Sequence, residues 1–394
     1  CTADGDTAHQ VDLALEETGL PVTKIIANGT REGWHSFDDE YKLFSRRYVR
    51  EADAPCGKDP MLMFFTSGTT GYPKIAMHSY KYALGHFVTA KYWHWVQPDG
   101  LHFTISETGW GKALWGKLYG QWLCEGAVFT YDFDRFDASK ILPMFAKYHI
   151  TTFCAPPTMY RMLIKQDLSQ YDLSSIQHAT TAGEALNPDL FDFWKEHTGL
   201  TIYEGFGQTE TPLTVGNLTN STPRPGSMGK PVPMYVMKVL REDGTECDTG
   251  ETGEICIRGG CVMLGYYKDP EATAEIIDKD GWLHTGDLAR EDEDGYYYMV
   301  GRKKNLIILG TGENVSPEEL ERKLNACPEV QECVVKEMGK RIGALICCAE
   351  EKQAEARAFI TGLNRTLPLY QRITAVEFST EPLPRNAMGK LLRR

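Results

Sequence analysis

The sequence lacks long apolar runs, an excess of basic residues and paired cysteines. No stretch of roughly 18 apolar residues occurs among its 394 residues, so we expect no transmembrane segment. The formal net charge is −12 without any long basic run, which argues against nucleic acid as the main partner but leaves anionic small molecules open. The 11 cysteines are scattered without C-x-x-C spacing. That usage is typical of a reducing compartment, and we expect a cytoplasmic protein.

The length and the order of the segments predict an α/β protein with two or more domains. Strand-like and helix-like segments alternate between residues 127 and 203, which predicts parallel β-α-β units. From about Thr222, prolines and short alternating segments predict a β-rich, partly antiparallel subdomain that extends to residue 301. A new α+β pattern follows Gly301. We therefore predict a large domain over residues 1–301 and a small mobile α+β domain over residues 302–394.

Several individual elements are predicted by local pattern. Met61–Phe65 is a short apolar run that predicts a buried strand, and His78–Trp95 is rich in aromatic residues and predicts a helix. Ala138–Tyr148 and Pro188–Thr198 also predict helices. Ser316, placed before Pro317 and two glutamates, predicts a capped helix start. Residues 1–60 are polar and mixed, and they predict no particular element.

The loop from Thr66 to Lys74 is a candidate anion site. It follows a predicted strand and holds four hydroxyl side chains, two glycines and a lysine within Thr66-Ser67-Gly68-Thr69-Thr70-Gly71-Tyr72-Pro73-Lys74. Glycines let backbone N–H groups approach an anion closely, hydroxyls add donors and lysine adds positive charge. The loop is not a Walker loop, because two residues separate its last glycine from the lysine. From composition alone, a flexible Gly/Thr surface loop is the alternative.

This loop resembles the signature T-S-G-T-T-G-x-P-K of the adenylate-forming superfamily, which contains acyl-CoA synthetases, luciferase-like enzymes and peptide-synthetase adenylation domains. Four further blocks resemble that family in its order and approximate spacing: Tyr203–Glu210, Gly281–Asp287, Gly301–Arg302 with Lys304, and Pro384–Lys390. Residues 106–110 and 153–160 look most like acetyl- and medium-chain acyl-CoA synthetases. The resemblance covers nearly the whole chain.

The resemblance implies a nucleotide site assembled from all five blocks. Its nucleotide-binding residues would be Thr66, Ser67, Gly68, Thr69, Thr70, Gly71, Lys74, Gly183, Glu184, Ala185, Phe206, Gly207, Gln208, Thr209, Asp287, Arg302 and Lys390. Asp287 would accept the ribose hydroxyls, and Phe206 would pack on adenine where many relatives carry tyrosine. Residues 183–185 would form the other wall of the adenine slot. Each residue taken alone has an ordinary alternative as a turn or surface residue.

The resemblance also implies the chemistry. Thr66, Lys74, Glu210 and Lys390 would be catalytic, with Glu210 holding Mg²⁺ and Lys390 bridging the acid and the α-phosphate. ATP would convert a carboxylic acid to an acyl-adenylate and pyrophosphate. The small domain would then rotate about Lys304, and coenzyme A would take the acyl group as a thioester and release AMP.

The resemblance leaves the acid and the acceptor open. Trp110 and Gly205 would line the acyl pocket, and we expect a short-to-medium or aromatic acid. The phosphate loop comes earlier in the chain than in relatives, so we expect an N-terminal part to be missing. Two alternatives remain: an adenylate-forming enzyme with another acceptor, such as a carrier-protein phosphopantetheine, and a non-catalytic nucleotide-binding homologue. The sequence does not indicate an oligomeric state.

Overall fold

The structure is a computed structural model that describes residues 5–66, 73–106, 111–133, 135–184, 186–309, 313–339, 341–385 and 391–393. The chain divides into two compact units, Cys1–Pro55 and Cys56–Arg394. Over these described ranges, no helix combines the length and the apolar character that crossing a membrane requires.

The first unit, Cys1–Pro55, is built around one helix and one short pair of strands. Its elements are α1 (Gly5–Thr18), β1 (Ile25–Ile26), β2 (His35–Ser36) and α2 (Phe37–Glu40). The two strands pair in parallel. On α1, Asp12 accepts hydrogen bonds from Lys24 at 2.9 Å and Trp34 at 3.1 Å, and Arg31 lies 2.8 Å from its other oxygen. One carboxylate therefore ties the helix to Lys24, which precedes β1, and to the segment between the two strands, an arrangement that no local pattern predicted.

The second unit, Cys56–Arg394, contains the remaining elements. In its first half they are β3 (Pro60–Phe65), β4 (Ile75–Ser79), α3 (Lys81–Val88), β5 (Leu101–Thr104), α4 (Gly111–Lys117), α5 (Tyr119–Leu123), β6 (Ala127–Phe129), α6 (Ala138–Tyr148), β7 (Thr152–Cys154), α7 (Pro157–Leu163), β8 (His178–Ala182), α8 (Pro188–Thr198) and β9 (Ile202–Gly207). In its second half they are β10 (Leu213–Gly216), β11 (Lys230–Pro231), β12 (Tyr235–Leu240), β13 (Gly253–Gly259), β14 (Gly265–Tyr266), α9 (Pro270–Ile276), β15 (Leu283–Glu291), β16 (Tyr297–Arg302), β17 (Ile307–Ile308), β18 (Asn314–Val315), α10 (Pro317–Leu324), β19 (Glu332–Glu337), β20 (Ile342–Cys347), α11 (Gln353–Thr366) and β21 (Ala375–Ser379).

A seven-stranded sheet forms the centre of this unit. Its order is β11-β10-β9-β8-β7-β5-β6. The strands β6, β5, β7, β8 and β9 run parallel, β10 pairs antiparallel with β9, and β11 pairs antiparallel with β10. The predicted parallel β-α-β architecture is therefore confirmed. Side chains from the strands and from α6, α7 and α8 form the main apolar core, which includes Phe103, Leu142, Phe145, Phe153, Tyr160, Leu163 and Trp194.

Two helices that connect strands of this sheet, α6 and α8, have the predicted bounds because residues at their ends specify where each helix starts and stops. α6 begins after Asp137, whose carboxylate accepts a hydrogen bond from the Ser139 amide, and it ends at a left-handed His149. α8 begins after Asn187, which caps the amide of Asp189, and it ends at Gly199 with a φ of 73°. Short polar caps and left-handed end residues satisfy the free backbone groups at helix termini.

Two predicted elements differ from the structure. Met61–Phe65 does lie in a strand, but β3 is an edge strand of the sheet β14-β4-β3, and the Phe65 side chain is 68% exposed. The prediction of a buried strand is wrong there because an edge strand has a neighbour on one side only. The predicted helix from His78 begins later, at Lys81, because His78 and Ser79 pair with β3.

The β-rich region forms a four-stranded antiparallel sheet in the order β12-β13-β15-β16. β15 and β16 pair so that Asp287 lies opposite Arg302. This register places an acidic and a basic side chain side by side at the end of the sheet, where the candidate site begins.

Buried side chains between Ile307 and Ile373 form an apolar core of their own. β19 pairs antiparallel with β20, β20 pairs parallel with β21, and α10 and α11 contribute to the same core. The predicted start of α10 is confirmed, because the Ser316 hydroxyl accepts a hydrogen bond from the Glu319 amide at 3.3 Å.

Candidate functional site

The carboxyl ends of β8 and β9 bring two of the predicted segments together. Ala182, the last residue of β8, pairs with Gly205 in β9. Gly183 and Glu184 therefore leave the sheet beside the segment from Phe206 to Glu210. The φ of Gly183 is +101°, and apart from its chain neighbours no atom of the described residues lies within 4 Å of the position that a Cβ would take there. Ligands of open α/β sheets bind at this edge, so the two predicted adenine walls lie where such a site is expected.

Asp287 is held by two neighbours from different parts of the chain. Arg302 Nε lies 2.9 Å from one carboxylate oxygen, and the side-chain amide of Gln208 donates to the other. The same Gln208 amide also donates to the backbone oxygen of Thr285 at 2.9 Å. Asp287 is almost fully buried, and this burial raises the pKa of its carboxyl group, while Arg302 and Gln208 act in the opposite direction. The predicted residues 208, 287 and 302 therefore form one hydrogen-bonded group.

A pocket of about 300 Å³ opens beside this group. It is lined by Thr285, Gly286, Arg302, Lys303 and Lys304. Lys303 Nζ lies 3.1 Å from a carboxylate oxygen of Glu254, and the other oxygen accepts a hydrogen bond from the Gly286 amide at 3.0 Å. The lining includes three basic residues, Arg302, Lys303 and Lys304, and this favours an anionic ligand. Glu254 thus links Lys303 to the backbone of Gly286, and sequence reasoning missed both Glu254 and Lys303.

Lys74 and Glu210, the predicted magnesium ligand, both contact the side chain of Tyr266. Lys74 Nζ lies 4.9 Å from the centre of the Tyr266 ring, and the Tyr266 hydroxyl donates to a Glu210 carboxylate oxygen at 2.8 Å. Burial, reinforced by the neighbouring Glu210 carboxylate, raises the pKa of Tyr266. Lys74 Nζ also lies 3.8 Å from Glu275. Sequence reasoning missed Tyr266, because only the pairing of β14 with β4 brings it here.

Thr66 and Thr209 are fixed through their backbones. The Thr66 amide donates to the Lys74 carbonyl oxygen at 2.8 Å, which closes the loop between β3 and β4. His78 Nε2 lies 2.7 Å from the carbonyl oxygen of Thr209. Burial lowers the pKa of His78 to about 4, so the ring is neutral at pH 7 and its Nε2–H donates to that oxygen.

The remaining predicted site residues within the described ranges include Glu184, Phe206 and Lys304. The Glu184 carboxylate accepts a hydrogen bond from the Thr158 hydroxyl at 2.7 Å, and Phe206 is half-buried. Lys304 lies in a short 3₁₀ turn that directly follows β16. The predicted residues that lie outside the described part of the chain are Ser67, Gly68, Thr69, Thr70, Gly71, Trp110, Ala185 and Lys390.

Glu204 in β9 is a buried carboxyl group, and sequence reasoning assigned it no role. It is 5% exposed, and one of its oxygens accepts a hydrogen bond from the Leu186 amide at 3.3 Å. Its other oxygen has no hydrogen-bond partner among the described residues. Burial raises the pKa of Glu204 to about 8, although Leu186 and Arg322 act in the opposite direction. The side chain is therefore protonated at pH 7.

Replacing Glu204 by glutamine is expected to change how stability depends on pH. Between pH 4.5 and about 8 the folded parent keeps a proton that the unfolded chain releases, so the parent loses stability as pH rises through this window. Glutamine does not titrate, so the free energy of unfolding of Glu204→Gln should rise relative to the parent by about 1.4 kcal/mol per pH unit and level off above pH 8. Urea unfolding at pH 5, 6.5 and 8.5 measures this. Glu196→Gln makes the same change at an exposed position of α8 and serves as the control. A difference in unfolding free energy between Glu204→Gln and the parent that stays constant with pH would contradict the prediction.

Comparison with known proteins places these features in context. The family described as AMP-binding enzyme matches residues 2–267. Among curated proteins, the chain is similar to the acyl-coenzyme A synthetase ACSM3, mitochondrial, of Pongo abelii, with 34% identity over 94% of this chain and 65% of that protein. It is also similar to the acyl-coenzyme A synthetase ACSM4, mitochondrial, of Homo sapiens, with 33% identity over 97% of this chain and 68% of that protein. The chain thus spans about 65% of the length of the first of these relatives.

Two solved structures share the fold over almost the whole chain. The anthranilate CoA ligase AuaEII in complex with anthranoyl-AMP superposes with a TM-score of 0.87 at 29% identity, covering 98% of this chain and 75% of that one. ATP-bound MatB from Rhodopseudomonas palustris superposes with a TM-score of 0.86 at 26% identity, covering 98% of this chain and 76% of that one.

Proposed function

Because the chain belongs to the AMP-binding enzyme family, we propose that it is an AMP-forming acid:CoA ligase. It activates a carboxylic acid with ATP to an acyl-adenylate and pyrophosphate, and it then transfers the acyl group to coenzyme A with release of AMP. The similarity to curated acyl-coenzyme A synthetases and to an anthranilate CoA ligase supports this activity.

The observation that carries the proposal is the placement of the segment from Gln208 to Glu210. At one end Gln208 donates to Asp287, the proposed acceptor of the ribose hydroxyls. At the other end Glu210 accepts from Tyr266, whose ring lies beside Lys74, the proposed phosphate ligand. A nucleotide that reached from Asp287 to Lys74 would pass along this segment. In-line attack by one anion on another needs positioning and charge neutralisation more than covalent help.

Glu210 is also the residue that we propose as the Mg²⁺ ligand. Its carboxylate fits a hard cation, because oxygen atoms are the ligands that magnesium prefers and one Glu210 oxygen is oriented by the Tyr266 hydroxyl. When bound, the ion would neutralise charge on the phosphates. Tyr266 orients the carboxylate and Lys74 adds a second positive charge.

We further propose the two-domain arrangement with its boundary near residue 301 and its hinge at Lys304. The separate apolar core formed by residues 307–373 supports the division. Lys304 lines the pocket and lies in the short turn that leads from β16 to Ile307, the first residue of that core, and this position supports the hinge. Rotation there would exchange Lys390 for a surface that admits the thiol. The cytoplasmic location stays a prediction, since the names of the curated relatives place those proteins in mitochondria.

A pyrophosphate-release assay tests the proposed function. The chain is incubated with ATP and Mg²⁺ and with acids that range from acetate to octanoate and benzoate, with and without coenzyme A. We expect acid-dependent pyrophosphate release, and an acyl-CoA thioester only when coenzyme A is present. Adenylate formation without thioester would favour another acceptor, such as a carrier-protein phosphopantetheine. Nucleotide binding without acid-dependent release would favour the non-catalytic homologue.

A further inference from the structure

A cysteine, a histidine and a glutamate from two neighbouring strands place their side-chain ligand atoms close together. Cys256 in β13 lies directly opposite His284 in β15, and Glu254 precedes Cys256 by two residues. Cys256 Sγ lies 3.3 Å from His284 Nδ1, and a Glu254 carboxylate oxygen lies 3.4 Å from the same nitrogen. The three ligand atoms all lie within 4.8 Å of one another. Cys256 and His284 are 28 residues apart, so no short motif marks this group.

The separations between these atoms match those between ligands of one tetrahedral zinc ion. Zinc binds sulfur at about 2.3 Å and imidazole nitrogen or carboxylate oxygen at about 2.0 Å. In a tetrahedron, these bond lengths place sulfur and nitrogen about 3.5 Å apart and nitrogen and oxygen about 3.3 Å apart. The observed distances of 3.3 and 3.4 Å agree with these values to about 0.2 Å. An ion can therefore be bound here with little movement of the two strands.

The other nitrogen of the His284 ring faces a carboxylate. Nε2 lies 3.7 Å from Asp278 Oδ2. Histidines that bind a metal through one ring nitrogen usually direct the other nitrogen toward a carboxylate, which fixes the tautomer and the orientation of the ring. Asp278 is itself held in place, because its other oxygen accepts hydrogen bonds from the amides of Asp280 and Trp282, each at 2.9 Å. Asp278 thus supports His284 from the side opposite to Cys256 and Glu254.

Glu254 has two further contacts, and only one of them must change when an ion binds. Its Oε1 accepts a hydrogen bond from the Gly286 amide at 3.0 Å, and this bond can persist. Its Oε2, the oxygen that faces His284, also lies 3.1 Å from Lys303 Nζ. The Lys303 side chain is 47% exposed, so its ammonium group can turn into water when an ion takes its place.

The types of side chain select the kind of ion. Thiolate and imidazole groups suit zinc, whereas Mg²⁺ and Ca²⁺ prefer oxygen ligands. Burial, with a smaller contribution from the Glu254 carboxylate, raises the pKa of the Cys256 thiol to about 12. A coordinated thiol is deprotonated, so the bound ion replaces this proton and the proton passes to solvent.

We propose that Glu254, Cys256 and His284 bind a Zn²⁺ ion, with a water molecule as the fourth ligand. The ion links β13 to β15 within three residues of Asp287, and it stabilises the sheet that forms this side of the nucleotide pocket. The site is separate from the proposed Mg²⁺ ligand Glu210, and its occupancy does not depend on turnover. Metal binding therefore tests it independently of the proposed function.

Zinc binding to the chelator-treated chain, measured by competition with a chromogenic chelator, tests this proposal. We expect the parent to hold a single tight Zn²⁺ ion that an excess of Mg²⁺ does not displace. Cys256→Ala and His284→Ala should each weaken binding at least about 100-fold, and Asp278→Asn should weaken it about 10- to 100-fold. Cys56→Ala and His197→Ala remove an exposed thiol and an exposed imidazole, and they should leave the affinity unchanged.

Cobalt in place of zinc gives a second measurement that needs no variant. We expect Co²⁺ bound to the parent to show a thiolate-to-metal charge-transfer band and the intense visible bands of a tetrahedral site, and excess Zn²⁺ should remove both. Zinc should also raise the Tm of the parent but not that of Cys256→Ala, because an ion that binds only the folded chain stabilises it. Absence of tight zinc binding, absence of the charge-transfer band, or a folded Cys256→Ala with the affinity of the parent would each overturn the proposal.

Discussion

Replacing Lys390 by alanine is expected to lower acid-dependent pyrophosphate release by about 100- to 1000-fold. The proposed role of this lysine is to neutralise the charge that builds between the carboxylate and the α-phosphorus, and removing one such group from a transition state has effects of this size. Conversion of a supplied acyl-adenylate and coenzyme A to thioester should stay within about threefold of the parent, because the proposed rotation about Lys304 removes Lys390 before that step. Single-turnover assays of each half-reaction provide the measurement.

Two control variants sharpen this test. Lys390→Arg retains the positive charge and should recover part of the adenylation rate, which separates a charge effect from a loss of packing. Lys352→Ala removes a lysine of the same region that is paired with Glu355 at 2.8 Å, and it should change neither half-reaction. If Lys390→Ala loses both half-reactions, the two-conformation scheme is contradicted. If it loses neither, the role assigned to Lys390 is wrong.

Replacing Gly229 by alanine is expected to lower the free energy of unfolding by about 3–5 kcal/mol or to prevent folding. The φ of Gly229 is +100°, and a Cβ would lie 2.2 Å from the Gly216 carbonyl carbon and 2.3 Å from the Asn217 nitrogen. Gly216 is the last residue of β10 in the central sheet, and Asn217 follows it. Their backbone atoms cannot rotate away as a flexible side chain could. The Gly229 carbonyl oxygen also accepts a hydrogen bond from the Tyr297 amide at 2.9 Å, which keeps the residue in place.

Gly244→Ala is the matched control for this substitution. Gly244 also has a positive φ, of +82°, but nothing lies within 4 Å of its Cβ position. It should therefore show only the conformational cost of the left-handed region, about 1–2 kcal/mol. Urea unfolding of both variants measures the difference, which reports the steric clash at Gly229. Equal losses in the two variants would show that the clash contributes nothing.

Local signals in the sequence were sufficient to predict the parallel sheet and the bounds of the best-defined helices. The bounds of α6 and α8 follow from a capping side chain at one end and a left-handed residue at the other, all within a few residues of each helix. The start of α10 at Ser316 was predicted for the same reason. The β3 run was misjudged as buried, because whether a strand has one neighbour or two depends on pairing with distant segments.

Some residues of the candidate site could be named from the sequence, and others were found only in the structure. Gln208, Asp287 and Arg302 were named from family resemblance, and the structure brings them into one hydrogen-bonded group. Tyr266 and Glu204 were not assigned any role. A tyrosine in a short segment and a glutamate within a strand carry no local sign of what lies beside them. Burial is the largest cause of the raised pKa of both groups, and the Glu210 carboxylate adds to it at Tyr266.

The sequence by itself determined the family resemblance, the parallel sheet and most of the residues proposed to hold the nucleotide. It could do so because five short blocks carry their side chains in a recognisable order, whatever the rest of the chain does. Tertiary structure alone decided which groups meet: Lys74 with Tyr266 and Glu210, and Trp115 with Gly207. These contacts depend on pairing between distant strands and on how closely α4 lies on the sheet. Backbone packing of this kind is a property of the assembled core, and no short segment of the sequence encodes it.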